Sequence, residues 1–112
     1  MERWPNAYAH QKLAVAVEIL ATAPGDARAR LLQAYAAFNV LRPDHFPTDL
    51  RADFGLLIEQ LTKRGPLLDA DGKTRIGAVE NTLRHMKNAT AAKIATTLYR
   101  LHQQVEAATD PR

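Results

Sequence analysis

Residues 73–105 read KTRIGAVENTLRHMKNATAAKIATTLYRLHQQV, and this stretch decides the fold class. Ile76, Val79, Leu83 and Met86 recur at spacings of three and four, and Ile94, Leu98, Leu101 and Val105 repeat the pattern beyond Asn88 and Ala89. Residues three or four apart share one face of an α-helix, so the stretch predicts two amphipathic helices joined by a short turn, a helical hairpin. Asn88 tolerates the left-handed conformation that ends a helix, and Thr90 is suited to cap the next one. Ala91 and Ala95 allow the last helix to approach a neighbour closely.

The same stretch holds most of the positive charge. Lys73, Arg75, Arg84, Lys87, Lys93 and Arg100 face a single carboxylate, Glu80, whereas residues 1–72 carry eight Lys or Arg against nine Asp or Glu. The two inward stripes leave Arg84 and Lys87 outside on the first helix of the pair. On the second, Lys93, Thr97, Arg100 and Gln104 lie outside, spaced by four, three and four. These six residues are the candidates for contact with nucleic acid or another anionic partner, since Lys and Arg neutralise phosphates and Thr and Gln add hydrogen bonds. The opposing reading is a solvated face, partly neutralised by the Glu80–Arg84 pair at i, i+4. A helix, a tight turn and a helix also suggest a helix-turn-helix with residues 90–100 as the recognition helix. Arg84, however, falls where a small residue is needed for close packing.

Towards the N-terminus, Leu50, Phe54, Leu57, Ile58 and Leu61 predict a helix over 48–64, with Lys63 and Arg64 complementing its dipole and Gly65–Pro66 ending it. Leu67 and Leu68 are expected to pack back on the bundle, ahead of a turn over 69–72. That turn resembles a calcium loop only partly, because no register places both the acidic ligands and the glycine. A further helix over 27–41 has Asp26 as its N-cap and Leu31, Tyr35 and Phe38 as its inward stripe. It leads into the elbow RPDHFPT, whose Phe46 should plug the bundle.

Pro5 suits the first turn of a helix reaching about residue 22, where Pro24 and Gly25 stop it. Leu13, Ala16, Val17 and Leu20 form one stripe, yet Val15 and Ile19 lie on other faces, and Glu18 is the only charged residue between Leu13 and Ala23. A helix apolar nearly all round is central in its own bundle or buried against a second chain, which makes Val15 and Ile19 the interface candidates.

Taken whole, the 112 residues predict one all-α domain spanning 1–112, a compact bundle of about five helices with short turns. Apolar residues at 46% and charged residues at 24% are ordinary for a globular chain. With no cysteine, disulfides, thiolate nucleophiles and cysteine-held metals are excluded. His10, His45, His85 and His102 never occur at i, i+4, and none is read as having a second candidate ligand at helical spacing, so no shared metal site is expected and no cofactor is implied. His45, beside Asp44 in the elbow, is the most distinctive of the four. No leader or membrane span is evident, and a cytoplasmic location is expected.

Arg3 and His10, with six residues between them, resemble the arginine-to-histidine spacing of the HEPN ribonuclease superfamily. That resemblance implies a helical bundle which dimerises to pair two such motifs. Trp4 stands where that family often has a polar residue, and Pro5 interrupts the spacer. No phosphate loop, nucleophile elbow or paired-carboxylate motif accompanies it. The sequence therefore predicts a non-catalytic helical interaction or regulatory module, homo-oligomeric or a small subunit of a larger assembly. The alternative is a nucleic-acid-binding protein using the basic hairpin.

Overall fold

The computed structural model describes residues 6–109, which form an all-α bundle with one small β-hairpin. The helices are α1 (Ala7–Thr22), α2 (Ala27–Phe38), α3 (Arg51–Leu61), α4 (Ala78–Arg84) and α5 (Asn88–Thr109). Strands β1 (Leu67–Leu68) and β2 (Thr74–Ile76) pair antiparallel between α3 and α4. Pro5 and Arg3 lie outside the described residues.

Ala9, Leu13 and Ala16 are fully buried along α1, which packs against α2 and α5. Solvent meets a different stripe, Tyr8, Gln11, Val15, Glu18 and Thr22, all exposed. The two interface candidates thus separate: Val15 is 46% exposed, whereas Ile19 is half-buried against the core. Gly25 makes the turn to α2 at φ +98°, a conformation that favours glycine, and Asp26 Oδ1 then accepts the backbone N–H of Ala29 at 3.0 Å.

α2 ends at Phe38, and the elbow that follows contributes Phe46, fully buried and stacked on Phe54 of α3 with ring centroids 4.3 Å apart. His45 is held inside this elbow. Its Nδ1 accepts the backbone N–H of Arg42 at 2.9 Å and its ring meets Tyr8 edge-on, while Asp44 pairs with Arg42.

The expected packing of Leu67 and Leu68 is corrected: they are 43% and 53% exposed and form β1. Residues 74–76, expected to open a helix, form β2 instead. The turn between them is tied by Asp69, whose Oδ1 accepts the N–H of Asp71 and of Lys73 at 2.9 and 3.0 Å, with Gly72 at φ +80°. An aspartate that satisfies its own turn and a glycine free to adopt positive φ favour a hairpin over a continuing helix.

α4 is consequently only about two turns long before a sharp turn to α5. Both helices lean on α2 and α3. α5 buries Ala91, Ile94, Leu98, Leu101 and Val105, the stripe read from the sequence, but it starts at Asn88 with no role for Thr90 as its cap. No helix among the described residues is long and apolar enough to cross a membrane.

Candidate functional site

The end of α3 and the start of α5 enclose an open cleft of about 810 Å³, floored by α4. Two buried polar side chains of α4 build it. Asn81 donates from Nδ2 to the carbonyl of Gly65 at 3.0 Å, and the Thr82 hydroxyl accepts the backbone N–H of Arg64 at 3.0 Å. A buried polar group left unpaired costs about 1–3 kcal/mol, so these bonds hold the end of α3 firmly against α4. Gly65, at φ +70°, lets the chain turn away there. Lys63 and Arg64 are thereby fixed on one wall of the cleft.

The opposite wall comes from the turn into α5 and its first three turns, with Lys87, Thr90, Lys93 and Thr97. His85 also lines the cleft and donates from Nδ1 to the carbonyl of Asn81 at 2.9 Å. Met86 and Ile94 provide apolar floor. Four cations and no carboxylate line this space, and none of Lys63, Arg64, Lys87 or Lys93 has an ion pair among the described residues. A concave wall of unpaired like charge focuses positive potential, and the N-terminal end of α5 adds its dipole in the same sense.

The six sequence candidates therefore divide. Lys87, Lys93 and Thr97 line the cleft; Arg100 and Gln104 are exposed further along α5, outside it. Arg84 turns to the other side of α4, where its guanidinium pairs with Glu80 at 3.1 Å beside Asp26 and Arg28. Sequence reasoning missed Lys63 and Arg64 as partners of this surface, because a role in the helix dipole already accounted for them.

A second cluster joins α1 to α5. His10 of α1 donates from Nε2 to Glu106 Oε2 at 3.4 Å, and His102 lies beside it with ring centroids 5.5 Å apart. Both ring nitrogens of His102 are buried without a hydrogen-bond partner among the described residues. Burial lowers the His102 pKa from its ordinary value; the neighbouring Glu106 acts in the opposite direction and His10 in the same one. The sequence reading that no histidine has a second candidate ligand at helical spacing is corrected here. Half of the signal was legible, since His102 and Glu106 stand at i, i+4 on one helix face; His10, 96 residues from Glu106, could be added only by the fold.

Compared with known proteins, the chain matches no family model, no curated protein and no solved structure.

Proposed function

We propose that this protein is a non-catalytic binding module that takes the phosphate backbone of nucleic acid into the cleft between α3 and α5. The observation that carries this reading is the lining of four unpaired cations with no carboxylate among them. Phosphate neutralisation supplies affinity through release of condensed counterions, and the hydroxyls of Thr90 and Thr97 and the amide of Gln60 add neutral hydrogen bonds. The cleft is open, which suits a length of polymer better than an enclosed small molecule. Among the described residues no Phe, Tyr or Trp lines it and His85 is its one ring, so base stacking is limited and recognition runs mainly through the backbone with little sequence preference.

Fluorescence anisotropy with labelled single-stranded and duplex DNA and RNA, from low to physiological salt, tests the proposal. Binding should weaken linearly in log–log form with a slope near −0.9 per phosphate neutralised on a duplex and about −0.7 on a single strand. Unchanged anisotropy with every probe at low salt would sink it.

The second reading is association through α1, with itself or with a protein partner, and Val15 at 46% exposure favours it. Gln11, Glu18 and Thr22 interrupt the apolar residues of that stripe, so it fits a weak contact better than an obligate one. Light scattering at micromolar concentration gives the test: a larger mass that Val15→Glu reduces to one chain supports it, and a single-chain mass for the unaltered protein counts against self-association.

A further inference from the structure

The geometry points to a divalent-cation site of the zinc class formed by His10, His102 and Glu106, clamping the start of α1 to the end of α5. Each residue offers one ligand atom, and the three atoms lie within 4.8 Å of one another. In a tetrahedral zinc site with bonds of about 2.0–2.1 Å, ligand atoms are about 3.3 Å apart. The contact between His10 Nε2 and Glu106 Oε2, at 3.4 Å, already has that length.

Two imidazoles on one tetrahedral ion also have a characteristic separation. Their ring centres, each about 3.2 Å from the metal, lie about 5.2 Å apart. The His10 and His102 ring centroids are 5.5 Å apart, close to that separation, with the planes 22° from parallel, so closure is by rotation of the rings to aim one nitrogen of each at a common point. His102 adds an argument of its own. Two buried ring nitrogens without hydrogen-bond partners are an unusual cost, which a metal ion relieves by taking one of them as a ligand.

Two imidazoles and one carboxylate suit zinc and its neighbours better than calcium or magnesium, which prefer all-oxygen shells. Three protein ligands leave a fourth position for water. The site is open enough to receive one, since the side chains of His10 and Glu106 are 25% and 60% exposed. Glu106 lies 13 residues beyond Lys93 on α5, roughly 20 Å along the helix axis, so this site is independent of the basic cleft.

The test is zinc binding by the untagged full chain after chelator treatment. It combines equilibrium dialysis against Zn²⁺ with Co²⁺ substitution, in which a tetrahedral ion absorbs strongly in the visible. The expected result is one zinc per chain, a higher Tm with zinc that chelator reverses, and a tetrahedral cobalt spectrum. Glu106→Gln, at an exposed position that leaves the fold intact, and His102→Gln should each weaken binding by about tenfold or more. His45→Gln, in the elbow, should retain one zinc per chain. No zinc retained at micromolar concentration, or equal retention by the Glu106 and His102 variants, would overturn the assignment.

Discussion

The side chain of Asn88 accepts the backbone N–H of Ala27 at 2.8 Å, so the residue that opens α5 also caps α2, 61 residues earlier in the chain. Arg28 reinforces the joint by donating to the carbonyl of Met86 at 3.2 Å while it pairs with Asp26. The turn carrying Lys87 is therefore anchored on both sides, which positions one wall of the cleft.

Asn88→Ala should destabilise the protein. The loss of a capping acceptor costs about 1 kcal/mol, against which the better helix propensity of Ala returns only a few tenths, because the position is at the helix end. In a domain of this size that is a fall in Tm of roughly 3–4 °C. Asn88→Asp keeps an acceptor in place and should retain most of the stability; equal losses in calorimetry for both variants would show that the bond to Ala27 contributes little.

Glycines give opposite predictions at two positions. At Gly25 a Cβ would lie 2.8 Å from the Cβ of Ala29, and the backbone is at φ +98°, so Gly25→Ala should cost at least about 1–2 kcal/mol. At Gly55, exposed in the middle of α3, a Cβ meets nothing within 4 Å, and Gly55→Ala should stabilise by about 0.5–1 kcal/mol. Denaturant midpoints of the two variants should move in opposite directions.

Asp26 should govern part of the acid limb of the stability curve. The Ala29 N–H, and after it the Arg28 guanidinium, lower its pKa below the ordinary value of 3.8. A carboxylate with a depressed folded pKa contributes stability that is present above its unfolded pKa and is lost as pH falls through the folded one. Thermal melts should therefore weaken below pH 3.8, and Asp26→Asn, which still caps, should flatten that limb.

Phe46 illustrates why much of the fold was legible in the sequence. An aromatic between two prolines has no helical period, but a short proline-fixed elbow over apolar stripes can bury it, and it is fully buried against Phe54. Phe46→Ala should cost about 3–5 kcal/mol, as large as truncation of a helical core residue, measured by chemical denaturation. The hairpin was less legible because Ile76 fits a helical stripe as well as a strand. The turn residues Asp71 and Gly72, between Leu67–Leu68 and Thr74–Ile76, were the competing signal, and turn chemistry prevailed over period. The cleft and the histidine cluster depended on distant contacts. Nothing local to Lys63 and Arg64 indicates that Thr82 and Asn81 will hold them opposite Lys93.

The charge groupings drawn from sequence and from structure make different predictions for nucleic-acid binding. Sequence spacing groups Arg84, Lys87, Lys93 and Arg100 on one outward surface, whereas the fold gathers Lys87 and Lys93 with Lys63 and Arg64 around one cleft, leaves Arg100 outside it and neutralises Arg84 with Glu80. Each phosphate contact removed should lower the magnitude of the salt slope by about 0.9 on duplex and about 0.7 on single-stranded probes. Combined Lys63→Gln, Lys87→Gln and Lys93→Gln should then lower it by about 2–3, while Arg84→Gln with Arg100→Gln should leave it nearly unchanged. All five side chains are exposed, so neither combination should shift Tm by more than a few degrees, which separates lost contacts from lost folding. If the Arg84 and Arg100 pair proves the more damaging, the outer surface of α4 and α5 binds the polymer and the cleft does not.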